Sequence, residues 1–221
     1  MKMFIASAIS AAAIAAAAPA DVITQWSFDA QNTTPSVGSG VASLIGGTTA
    51  TFATGIGGTG TFGWNVSTFP ASGTGNGTAG AQYAVSTVGY ESIILSYDLR
   101  HSNTSANTES VQVTLDGTNW TQVELFTFTP AATGTGDTWY SRSVTLTLAG
   151  ASNNANFAFR VVAAFDPVAG NYLASRSTST YGTASTWRFD NVTVSGSVIP
   201  APGAVALLGL AGVAGRRRRA D

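Results

Sequence analysis

The sequence predicts an all-β fold, a single antiparallel β-sandwich and most simply a jelly roll. Three observations carry that prediction. Apolar and polar residues alternate at period two in segment after segment. No interior stretch shows helical periodicity of useful length. The residues between the alternating segments are Gly, Ser, Thr and Asn, the chemistry of turns. Thr (30), Gly (25) and Ser (23) supply about a third of the 221 residues. A β-helix would need a repeat of fixed period, and none is present.

The elements follow in order. Val22, Thr24, Trp26 and Phe28 share one parity and open the sandwich. Shorter strands are expected at Ala42–Ile45, Thr49–Ala53, Phe62–Val66 and Gln82–Ser86. Ile93, Leu95, Tyr97 and Leu99 form the core face of a longer strand, with Ser96, Asp98 and Arg100 opposite. Val111, Val113 and Leu115 run into Asp116-Gly117, a strong turn signal. Trp120–Thr129, Tyr140–Leu148 and Phe157–Val161 follow, the second and third with clear alternation. In the last strand Trp187 and Phe189 share one parity, Val192 and Val194 the other. That switch at Asp190-Asn191 predicts a β-bulge.

Composition excludes several functions. There is no cysteine, hence no disulfide framework, zinc-thiolate site or cysteine nucleophile. Between Asp21 and Val198 stand ten acids and five arginines, a net charge of −5 that argues against nucleic acid or anionic lipid as a partner. No phosphate loop, dinucleotide fingerprint or Gly-x-Ser-x-Gly frame occurs. His101, the single histidine, falls in His101-Ser102-Asn103-Thr104-Ser105, where composition predicts a solvated loop. The chain reads as a non-enzyme. Six Asn-x-Ser/Thr sequons occur in so Ser/Thr-rich a chain by composition.

Both ends read as addresses. Met1–Ala20 has the form of a secretory signal peptide for signal peptidase: Lys2, the apolar run Phe4–Ala18, and Ala18-Pro19-Ala20 as the small-x-small cleavage pattern. The β-sandwich then occupies 21–198. At the other end Pro200-Ala201-Pro202-Gly203 leads into an uncharged stretch, and Arg216, Arg217, Arg218 and Arg219 follow. Val198–Gly215 is 18 residues, long enough at about 1.5 Å each to cross a hydrocarbon core. The arginines would hold that end in the cytoplasm.

This tail, 199–221, resembles the PEP-CTERM sorting signal of Gram-negative bacteria, also known as the ice-binding protein C-terminal domain. Ala201 replaces the usual glutamate between the prolines. The resemblance implies recognition by an exosortase, an integral-membrane cysteine transpeptidase. It also implies transient anchoring in the inner membrane and release to the cell surface or extracellular matrix. An ice-binding role would need a regular Thr array, which the core lacks.

The bulged closing strand, set beside Gln25-Trp26-Ser27-Phe28-Asp29, is similar to that of carbohydrate-binding jelly rolls and concanavalin-like sandwiches. In several such modules an acidic residue of the last strand helps hold structural calcium. The resemblance implies Asp190, with Asp29, as calcium ligands; the alternative is Asp190 capping the bulge backbone or pairing with Arg188 or Arg160. For ligand binding, ring faces that stack on sugars and polar groups that bond hydroxyls point to Trp64, Asn171, Tyr172, Arg176 and Tyr181. Four of these lie in Asp166–Thr186, a long stretch without periodicity. Trp26, Trp120 and Trp187 are expected in the core. The expected function is polysaccharide binding by an exported domain. A purely structural or adhesive matrix protein is the alternative, and a surface hydrolase a third.

Overall fold

The computed structural model describes residues 20–130 and 138–201. The leader and the arginine tail, Pro202 to Arg219 included, lie outside the described residues. Eleven strands and no helix occur among the described residues: β1 (Asp21–Trp26), β2 (Val41–Ile45), β3 (Thr49–Gly55), β4 (Gly58–Ser67), β5 (Gly80–Ala84), β6 (Tyr90–His101), β7 (Thr108–Thr114), β8 (Trp120–Thr127), β9 (Thr138–Thr145), β10 (Ala158–Ala163) and β11 (Trp187–Val198). Every segment with period-two alternation became a strand.

The strands form two antiparallel sheets. One has the order β3-β4-β11-β6-β9, with β1 on the second half of β11. The other has the order β2-β5-β10-β7-β8. The first and last strands pair, as the resemblance to carbohydrate-binding jelly rolls implies. Between the sheets lies an aromatic core: Trp26, Trp64, Trp187, Phe159 and Phe189 around Tyr83, all buried. Tyr83 stacks on Phe159 at 4.9 Å and meets Phe189 edge-on at 6.2 Å, so the two sheets interlock through rings.

Two irregularities set local geometry. Register slips between Asp190 and Thr193 on β11, with Asn191 at φ 47°, the bulge that the parity switch predicts. A second slip, between Val22 and Thr24, turns Val22 outward to 45% exposure while Thr24 and Trp26 stay buried. Val22 therefore leaves the face that strict alternation assigns to it. Trp120 also departs from expectation. It lies half-buried on the outer face of the β8 sheet instead of in the core.

Candidate functional site

The outer face of the five-stranded sheet carries one unbroken polar row. Cross-strand register aligns Ser43 with Gln82, Gln82 with Arg160, Arg160 with Gln112, and Gln112 with Gln122. Each of the five is at least partly exposed. Four strand spacings of about 4.8 Å make the row about 19 Å long. Alternation produces it: Tyr83, Phe159 and Val111, one residue away on their strands, point inward and are fully buried.

Arg160 organises the row. Its Nε donates to Gln112 Oε1 at 2.7 Å, and its guanidinium lies 4.2 Å from the centre of the Trp120 ring. Partial burial pulls the Arg160 pKa below its ordinary value, yet a guanidinium stays charged at any physiological pH. The arrangement offers a ring, a planar cation and three amides, all held on rigid strands. Such groups bond vicinal hydroxyls in pairs and stack on the apolar face of a sugar.

One border of the row is a clamped loop. Gln112 Nε2 reaches Gly77 O at 3.4 Å, and Gly77 N donates to Ala163 O at 2.9 Å. Three residues expected from the sequence to meet the ligand hold this loop. Asn171 Oδ1 accepts from Gly73 N at 2.8 Å and from Ser72 Oγ at 3.0 Å. Tyr172 donates to Gly75 O at 2.9 Å and Tyr181 to Pro70 O at 2.8 Å. Their rings stack on each other at 4.5 Å. Burial pushes the Tyr172 hydroxyl up to about 12 and raises that of Tyr181 further, Tyr172 adding to the latter.

The remaining site residues lie elsewhere. Trp64 is 4% exposed and stacked on Phe28 in the core, so no ring face meets solvent. Its neighbours Gly63 and Asn65 make the segment look polar, but Phe62, Trp64 and Val66 share the inward parity. Arg176 is tied by its backbone to Asn103 O, and its Nε is buried without a hydrogen-bond partner among the described residues. Neither joins the row. The signal that could have found the row is the parity of Gln82, Gln112 and Arg160, each between two core residues.

Asp190 and Asp29 do converge at the bulge. Asp190 Oδ1 accepts from Asn191 N at 2.8 Å and Oδ2 from Ile56 N at 2.9 Å. Asp29 Oδ1 accepts from Phe62 N at 3.0 Å. Burial raises the Asp190 pKa; the two amides lower it, and the charges of Asp29 and Asp98 raise it again. A carboxylate raised by burial and by like neighbours is one that a cation would relieve. The donors are hard oxygens, which suit calcium. No group of three or more His, Cys, Asp or Glu able to hold a metal occurs among the described residues. Two carboxylates fit, with backbone carbonyls required for the other ligands. A Cβ on Gly55 would stand 2.5 Å from Asp190 Oδ2, so that approach needs glycine.

His101 is not a solvated loop residue. It ends β6, fully buried, with rings of Trp187, Phe128 and Tyr140 around it at 5.0–5.5 Å. Nδ1 lies 2.9 Å from Ala106 O and Nε2 3.4 Å from Glu109 Oε1. Glu109 also accepts from Tyr97 Oη at 2.7 Å and from Arg142 Nε at 2.8 Å. Burial alone would raise the Glu109 pKa. His101, Arg142 and the Tyr97 hydroxyl outweigh it and hold the carboxyl below its usual range. Ser105 Oγ stands 3.5 Å from Nδ1, which gives a serine-histidine-carboxylate set. All three side chains are fully buried, and Ser105 Oγ donates to Ser102 O at 2.9 Å. The set braces the sandwich and offers a substrate no approach in this conformation.

Comparison with known proteins places the fold in a class. The chain resembles the CBM22-1 xylan-binding domain of Paenibacillus barcinonensis Xyn10C at TM-score 0.50 and 14% identity, over 84% of this chain and 100% of that domain. It resembles the CBM22-1-CBM22-2 tandem of the same protein at TM-score 0.50 and 14% identity, over 85% of this chain and 50% of that one. The fold is therefore the β-sandwich found in carbohydrate-binding modules. No protein-family model matches the chain, and no curated protein sequence matches it.

Proposed function

We propose that the domain is a non-catalytic polysaccharide-binding module whose ligand lies along the Ser43–Gln82–Arg160–Gln112–Gln122 row against Trp120. The observation that carries this reading is the row itself: five polar side chains in continuous register on one sheet, with a guanidinium on an indole. A xylan-binding domain of the same fold supports it. The test is retention of the full chain on insoluble polysaccharides, xylan included. Arg160→Ala and Trp120→Ala should each weaken binding at least tenfold, about 1.4 kcal/mol. Tyr181→Phe, which touches only the loop clamp, should bind as the parent does. Retention on nothing, by a folded chain, would leave the structural matrix reading.

The same proposal includes the addresses and the metal. The chain is exported after signal-peptidase cleavage, and an exosortase acts at the 199–221 tail. Replacing Arg216–Arg219 with serine should then abolish surface delivery, read by fractionation. Asp29 and Asp190 hold a structural calcium, which would tie the bulge of β11 to the turn after β3. EDTA should lower the melting temperature of the chain, and Asp190→Asn should remove that response.

A further inference from the structure

An edge strand presents unpaired N–H and C=O groups, and most proteins blunt it. Here the edges differ. β8 carries Glu124 and a bulge opposite Val111-Gln112. β9 points Arg142 inward to the buried Glu109. The outer edge of β1 is taken up by the 36–37 segment, whose amides donate to Gln25 O. β2 is short, at five residues. β3 has none of these devices. It is seven residues long, TATFATG, without charge or proline, and regular in register from Thr49 to Thr54. Among the described residues its outer side has no strand partner, and it forms one end of the six-stranded sheet.

The occupant follows from charge. A two-fold contact sets each residue near its own copy, so a charged edge repels itself and a neutral one does not. No residue between Asp29 and Glu91 is charged, in a domain whose 21–198 span is otherwise net −5. The charges nearest β3 are of opposite sign, Arg188 on Thr54 O at 2.7 Å and Asp190 on Ile56 N at 2.9 Å, so two copies that meet β3 to β3 bring no net like charge together. Thr49, Thr51 and Thr54 are exposed along the strand, and Ile56 at its end is 41% exposed.

We propose that β3 pairs antiparallel with β3 of a second copy, across a two-fold axis, and so joins two six-stranded sheets into one. The pairing leaves the polar row on the other sheet open and does not depend on what that row binds. Sedimentation velocity of the full chain over a concentration series tests it. The parent should show a reversible monomer–dimer equilibrium. Thr51→Lys and Thr51→Glu should each raise the dimer dissociation constant at least tenfold, and a one-to-one mixture of the two should restore association. Thr121→Lys, on the opposite side in β8, should leave it unchanged. A parent that stays monomeric, a Thr51→Lys chain that dimerises as the parent does, or a mixture that fails to reassociate would each overturn the proposal.

Discussion

The two open sides of the sandwich follow opposite rules. On the β8/β9 side, charge is drawn inward: Glu109 is fully buried, and Arg142 spans the gap between sheets under the rings of Phe126 and Tyr140 at 4.6 and 4.9 Å. On the β2/β3 side neither strand carries a charge of its own, and the charges nearest β3 are of opposite sign: Arg188 on Thr54 O and Asp190 on Ile56 N. Both sides close the same core with the same ladder chemistry. The difference lies in what each does to an approaching strand. The first side spends charge on a cluster that joins the sheets and spoils its own edge for pairing. The second leaves a β3 edge that is regular in register and whose own residues are uncharged.

The comparison can be broken most severely at Glu109. Glu109→Ala leaves Arg142 and His101 facing a vacated pocket, and removing one partner of a buried pair costs about 3–5 kcal/mol. Urea denaturation should show that loss, whereas Thr51→Lys on the neutral side should leave the monomer's stability within about 0.5 kcal/mol. Acid sharpens the contrast next. The Glu109 pKa is depressed in the folded chain, so its contribution is present above the ordinary carboxylate value of about 4.3 and fades as pH falls through the folded value. Below pH 4 the parent should lose stability faster than Glu109→Gln, followed by thermal melts. The smallest effect is expected at the β7–β8 turn. Asp116 Oδ1 accepts from Thr118 N at 2.8 Å and Asn119 N at 2.7 Å, and bonds to Asn119 and to this turn hold its pKa well below normal. Asp116→Ala should lower the urea midpoint slightly and leave the β2/β3 side unaffected, as amide exchange would show.

Much of this was legible in advance, for stated reasons. The strands read directly because side chains alternate with period two whatever the fold around them. The bulge at Asp190-Asn191 was visible as a change of parity, whereas the pairing of β1 with β11 was implied only by the resemblance to carbohydrate-binding jelly rolls. Trp120 was misplaced because the slip at Val123 cuts the link between its parity and that of Phe126. His101 was misplaced because its sequence neighbours are polar. Its actual neighbours, Phe128, Tyr140 and Trp187, come from β9, β11 and the end of β8.

By itself the sequence determined the all-β class, the strand positions, the turn at Asp116-Gly117 and the bulge, because each is a local property of a few consecutive residues. The polar row, the Glu109 cluster and the bare β3 edge were decided only by the tertiary structure. Each depends on which strands lie side by side, and that neighbour relation is settled by packing of the aromatic core between the sheets rather than by any segment alone.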